Sequence, residues 1–157
     1  MNNIKKIVDS LGVAVVGGAP KGYDALVLAE IAQESASQQN SVVLFITLDD
    51  ISVARMSTAL SFLAPEVEQI EFSAWDWLPY DRVSPNSEIV GRRIASLIRL
   101  SEAPKPRPGG TVVLTTVAAM LQRMPPRSSY KSLSMTVSVG DHHDPEALIS
   151  FLLTNGY

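Results

Sequence analysis

Cysteine is missing altogether from this chain. No disulfide can staple it and no thiolate can ligate a metal, which fits a reducing compartment. Charge is sparse as well: charged residues make up 18% of the sequence, the formal net charge is −3 and the pI is about 5.3. That balance supplies no broad positive field to hold nucleic acid by its phosphates. The N-terminus carries no apolar run of the signal-peptide kind, and no hydrophobic stretch reaches the length of a membrane span. The expectation is a cytoplasmic protein with no membrane partner. Aromatic residues are few, at 6%, and unevenly placed. Both tryptophans lie between Phe72 and Tyr80, so the aromatic surface is concentrated in one connector.

What is present is enough for one core. With 157 residues, 46% of them hydrophobic, the chain can bury a single domain and a small appendage. Ile4, Ile7, Val8 and Leu11 have the spacing of a short amphipathic helix that Gly12 can end. Val13-Ala14-Val15-Val16 then predicts a strand buried on both faces, followed by the loop Gly17–Gly22 and a helix from Asp24 to about Ser37. Ser41–Thr47 predicts a second buried strand. Asp49 or Asp50 caps a helix with Val53, Met56, Leu60 and Leu63 inward, closed near Ala64-Pro65. Glu68–Phe72 is a third strand. It leads through an extended, proline-bearing connector to a helix that starts near Asn86 or Ser87 and runs to Leu100. Thr111–Thr115 is another buried strand, and Thr116 caps a short helix that Pro125-Pro126 stops.

Apolar strands alternating with helices predict an α/β domain, a parallel sheet with helices on both faces. The texture changes at Pro125. Leu133, Met135, Val137 and Val139 alternate with polar residues, as in a strand with one wet face, and Asp144-Pro145-Glu146 starts a last helix. A half-exposed strand and one helix cannot bury themselves. Residues 1–124 therefore read as the α/β domain and 125–157 as the opening of a small α+β subdomain.

Four places could carry chemistry. The first strand, Gly17-x-x-x-x-Gly22 and the following helix have the layout of a phosphate-binding loop. The lysine and hydroxyl that such a loop needs are replaced by Tyr23 and Asp24. Asp24 puts a carboxylate where a phosphate would sit, at the helix N-terminus. Lys21 lies two residues early. Asp49-Asp50 can hold magnesium or simply cap a helix, and Asp141-His142-His143-Asp144 can suggest a metal although Asp144 already serves as a cap. Arg92, Arg93 and Arg99 can meet phosphate or carboxylates, or form a solvated face. The connector, with Trp75, Trp77 and Tyr80, is either a plug at the edge of the core or a docking surface with aromatic and arginine anchors. In the split between these, Trp75 packs inward while Trp77 or Tyr80 lies near the surface with Arg82 and Arg92.

Trp75-Asp76-Trp77-Leu78-Pro79-Tyr80-Asp81, followed by Arg82, Ser84-Pro85, Glu88-Ile89 and Arg92-Arg93, resembles the W-[DE]-x-L-P-Y-D signature of the bacterial transcription-repair coupling factor (Mfd) family and the helix after it. Leu28–Ala32, Val117–Arg123 and Gly156-Tyr157 extend the resemblance along the chain. It implies the N-terminal, UvrB-like module of a large DNA translocase that displaces stalled RNA polymerase and recruits UvrA for nucleotide excision repair. It further implies a helicase-like domain with a decayed phosphate loop at Gly17, Gly22, Tyr23 and Asp24, and partners among the other domains of the parent. The ATP and magnesium of the motor belong downstream, as do the later strands of the UvrA-binding subdomain, so the fragment itself is expected to be non-catalytic and without cofactor. Two alternatives stand beside this. One is a nucleotide-binding phosphoryl-transfer or NTPase domain using Lys21 with Asp49 or Asp50. The other is a stand-alone binding domain without a repair role.

Overall fold

The computed structural model describes residues 2–10, 12–20, 22–39, 42–75, 86–102, 107–124, 126–127, 129–130, 135 and 137–154. In chain order these form α1 (Asn2–Asp9), α2 (Tyr23–Gln39), β1 (Val42–Thr47), α3 (Asp50–Leu63), β2 (Glu68–Phe72), α4 (Ser87–Ser101), β3 (Thr111–Thr116), α5 (Val117–Leu121) and α6 (Pro145–Thr154). The three strands make one parallel sheet in the order β1-β3-β2. The last strand in sequence is therefore the middle one in space.

The side-chain alternation of β3 divides the core in two. Val112 and Leu114 face one side, where Ala25, Leu28 and Ala32 of α2 and Met56 and Leu60 of α3 close over them, with Val43 and Phe45 of β1 alongside. Val113 faces the other side with Ile70 and Phe72 of β2, Ala119 of α5, and Leu97 and Leu100 of α4. An α/β domain with helices on both faces of a parallel sheet is what the apolar strand runs predicted.

Local chemistry sets the element ends. Asp49 caps α3 by accepting the Ser52 amide at 2.7 Å, Asn86 caps α4 by accepting the Glu88 amide at 2.9 Å, and Thr116 caps α5 by accepting the Ala119 amide at 3.2 Å. Glu68, at the start of β2, gathers Arg99 of α4, Arg107 at 3.0 Å and the Thr111 hydroxyl at 3.1 Å. This cluster ties β2, α4 and β3 at the end where the strands enter the sheet.

Three expectations about strands fail, the first only in part: β1 forms at Val42–Thr47, but Val42, Leu44 and Ile46 are exposed rather than buried. Val13–Val16 is not a doubly buried strand: it joins no ladder, and Val13 and Val15 are 96% and 89% exposed. An apolar run becomes a strand only where a neighbouring edge takes its amides and carbonyls, and none does here. On the alternating stretch 133–139, residues 135 and 137–139 are exposed and lie in no strand; the rest falls outside the described residues. α6 follows as predicted, with Asp144 accepting the Glu146 amide at 3.0 Å.

Two adjacent glycines let β3 enter between its neighbours. A Cβ on Gly109 would run into the Glu66 carbonyl, and Gly110 has φ +74 and lies against the Ala32 carbonyl. Gly91, inside α4, has open space where a Cβ would go. Gly109→Ala should therefore cost about 1–3 kcal/mol through forced overpacking, while Gly91→Ala should gain about 0.5–1 kcal/mol of helix stability. Urea melts of the two variants check both signs, and equal effects would contradict this account of the β3 entry.

Candidate functional site

In a parallel sheet the strands' carboxyl ends and the N-termini of the following helices share one edge, where α/β folds bind ligands. Here that edge carries Asp24 at the start of α2, Asp49 and Asp50 at the start of α3, and the connector that leaves β2.

The loop before α2 is built on glycines but closed by an acid. Gly18 and Gly22 take left-handed backbone, with φ of 73 and 92. Gly17 has open space around it, and Tyr23, the first residue of α2, is about half exposed. Asp24 is partnered on both oxygens: one accepts the Ala25 amide at 3.1 Å, and the other accepts from Arg55 of α3 at 2.8 Å. The Arg55 guanidinium, together with the local amides, holds the Asp24 carboxyl below the usual carboxylate range. The charge on Asp24 and the cation that faces it are thus already matched. Lys21 lies outside the described residues.

Asp49 is likewise committed. Its cap to Ser52 lowers its pKa, and Thr47 donates its hydroxyl to the Asp49 carbonyl at 2.8 Å. Asp50 sits one residue on, exposed, at the rim of an open cleft of about 480 Å³ between α3 and the end of β2. Ser57, Thr58, Glu71, Trp75 and Arg92 also line this cleft, so its walls carry both signs of charge. At the other suspected metal position, Asp141 Oδ2 accepts the Ser138 amide at 3.1 Å and lies 3.6 Å from His143 Nε2. No group of three or more metal-capable side chains forms among the described residues.

Of the aromatic signature the structure describes only Trp75. Its backbone amide donates to Gln122 Oε1 at 2.9 Å and its ring is half-buried. Asp76, Trp77, Pro79, Tyr80, Asp81 and Arg82 lie outside the described residues, so the split between an inward Trp75 and an outward Trp77 or Tyr80 is not resolved. The arginines of α4 separate sharply. Arg92 is exposed and pairs with Glu88 one turn earlier at 2.5 Å, and Arg99 pairs with Glu68. Arg93 is 1% exposed. Its Nη1 donates to the Ser73 carbonyl, and its guanidinium lies 4.1 Å from the Phe72 ring centroid and 4.9 Å from that of Trp75. Burial presses its pKa below the usual arginine value, yet a group that starts so high stays charged at neutral pH.

The sequence grouped Arg93 with a solvated arginine face, whereas the structure makes it a core cation that anchors the start of the connector. The signal was there: Arg93 follows Val90 by three residues and precedes Leu97 by four, so it shares their apolar stripe.

The match between Asp24 and Arg55 has a measurable sign. A carboxyl depressed in the folded state adds stability above its unfolded pKa, and that stability is lost as pH falls through the folded value. Arg55→Ala should raise the Asp24 pKa toward 3.8, its unperturbed value, and flatten the acid limb of the stability curve. Carboxyl-carbon NMR titration of both proteins reads this out; an unshifted Asp24 would show that Arg55 does not hold it.

Comparison with known proteins follows the sequence. No family model matches the chain, and no solved structure does. It is 29% identical to the transcription-repair-coupling factor of Haemophilus influenzae over 127 residues, which is 81% of this chain and 10% of that protein. It is 27% identical to that of Escherichia coli over 133 residues, 85% of this chain and 11% of that protein. The factor of Mycobacterium tuberculosis is 31% identical over 86 residues, 54% of this chain and 7% of its own length. The chain thus spans about a tenth of the length of the curated relatives it matches, and each of these is a bacterial transcription-repair-coupling factor.

Proposed function

We propose that this chain is the N-terminal, non-catalytic interaction and regulatory module of a transcription-repair coupling factor, with a helicase-like fold whose phosphate loop no longer takes a phosphate. The observation that carries the non-catalytic part is Asp24, which fills the anion position at the start of α2 and is already paired with Arg55. A nucleotide phosphate brought to the same amides would meet a carboxylate, and like charges at that distance repel. The names of the matched relatives support the rest.

On this reading the parent is the ATP-dependent DNA translocase, and ATP and magnesium bind in its motor rather than here. RNA polymerase and DNA are met through other domains. UvrA is met by the subdomain that residues 125–157 begin, with residues 1–124 as its platform. Arg92, exposed on α4, and the connector that Trp75 opens would then face other parts of the parent. No helix among the described residues is long and apolar enough to cross a membrane.

The alternative, a nucleotide-binding domain using Lys21 with Asp49 or Asp50, is tested directly. Calorimetric titration with Mg-ATP should give no heat of binding at concentrations of about 1 mM or below, weaker than the usual range of enzyme–substrate affinities. Micromolar affinity would overturn the non-catalytic reading and favour the alternative.

Duplex DNA should bind weakly and without sequence preference, because the net charge is −3 and several of the described arginines, Arg55, Arg92, Arg99 and Arg107, are already paired with acids. A gel shift at physiological salt checks this. Tight binding that Arg92→Ala abolishes would mean that the arginine face recruits DNA itself.

A further inference from the structure

Arg93 is buried beneath the start of the connector, and a second stretch of chain closes over the same helix. After Pro126 the chain turns, with the Ser129 amide donating to the Pro126 carbonyl at 2.9 Å. Arg127 lays its guanidinium over the carboxyl end of α4. Its Nε and Nη2 donate to the Ser101 carbonyl at 2.8 and 2.5 Å, and Nη2 also donates to the Glu102 carbonyl at 3.1 Å. A cation is favoured there, because the last carbonyls of a helix lack partners within it. Tyr130 follows and is 5% exposed. Burial lowers the Arg93 pKa and Tyr130 opposes that shift, so the phenol lies near the guanidinium.

One guanidinium is therefore shared by two stretches that are distant in sequence. On one side it holds the end of β2 and the start of the connector, through the Ser73 carbonyl and the rings of Phe72 and Trp75. On the other it meets Tyr130. A simple core staple would satisfy every donor it buries. Arg93 does not: its Nη2 is buried and meets no acceptor among the described residues. An unpaired donor on a charged group costs stability, and water satisfies it once the joint opens. Burial of the rings favours the closed joint, and hydration of the guanidinium favours the open one.

We propose that Arg93 is a relay between these two stretches: Arg127 and Tyr130 docked on α4 hold Trp75 in place, and their release frees it. In the closed state Tyr130 covers the guanidinium, which stays stacked between Phe72 and Trp75. In the open state Arg127 leaves the end of α4, Tyr130 uncovers Arg93, water reaches Nη2 and the stack loosens. Whatever binds the polypeptide after Tyr130 in only one of these states shifts the balance by its difference in affinity. The surface offered at the start of the connector changes with it. Arg92 and Arg99 cannot take this part, because both are exposed and already paired with glutamates. The coupling lies within this chain and does not rest on the function proposed above.

Amide exchange read residue by residue by NMR tests the relay in the 157-residue chain. The Trp75 amide donates to Gln122 Oε1 at 2.9 Å, so its exchange rate reports how often the start of the connector opens. Arg127→Ala removes the cap on α4, whose bonds reach neither Trp75 nor Arg93. It should speed Trp75 exchange by about 5-fold or more, the lower end of the range for coupling between sites. Leu97 of α4 and Leu114 of β3 should keep their rates. An unchanged Trp75 rate would overturn the proposal, and so would equal acceleration of all three amides, which is a general loss of stability. Arg93→Met keeps an apolar side chain in the stripe and removes the charge. In that background Arg127→Ala should no longer act on Trp75, and an undiminished effect would overturn the part given to Arg93. Trp75→Leu tests the relay from the other end, even where Arg93→Met fails to fold. Coupling is reciprocal, so the Ser129 amide should exchange faster by a similar factor; an unchanged Ser129 rate would contradict the relay.

Discussion

Hydrogen bonding on both edges of β3 is the constraint on which the rest depends. Val112, Val113, Leu114 and Thr115 are buried, and they face the two halves of the core alternately. α2 and α3 reach the core through one set, α4 and α5 through the other. The Thr115 hydroxyl donates to the Phe72 carbonyl at 2.7 Å, which ties the carboxyl end of β2 to β3 where the connector begins. β1 and β2 never pair with each other, so they stay unjoined until β3, the last of the described strands to be made, arrives between them. The glycine pair ahead of it is what lets it enter. Contacts so distant in sequence make for slow folding relative to a helical bundle of the same length.

Much of this was legible beforehand. The apolar runs at 42–47 and 111–116 marked two of the strands, and 68–72 was read as a third although three of its five residues are polar. Asp49, Asn86, Thr116 and Asp144 marked helix starts because their side chains can take the free amides there. Strand order was not legible, since nothing in a local pattern says that the third strand lies between the first two. Val13–Val16 misled for a related reason. Its composition is that of a buried strand, but burial needs a neighbour, and a neighbour is a property of the whole sheet. Arg93 was misjudged because charge outweighed its position on the apolar stripe of α4. Two aromatic rings and a backbone carbonyl make a place for one buried cation that composition does not show.

The candidate site follows the same logic of occupation. At the carboxyl edge of the sheet, three groups that could serve a ligand are already used by the protein: Asp24 by Arg55 and an amide, Asp49 by Ser52, Arg92 by Glu88. Asp24 could be placed at the start of α2 from sequence, but its pairing with Arg55 could not, because the two are thirty-one residues apart and meet only when α2 and α3 pack side by side. Also uncovered among the described residues are apolar and backbone groups: the edge of β1, the run Val13–Val16 and the side chains of Leu44 and Ile46. Such surfaces suit association with polypeptide better than chemistry on a small molecule.

The central claim is that these residues are one module of a much longer coupling factor. The size of the native polypeptide that carries this sequence tests it most directly. An antibody raised against the chain, used on an extract of the source cells, should detect a band about ten times the 17.0 kDa of the chain. A single native band near 17.0 kDa would contradict the account.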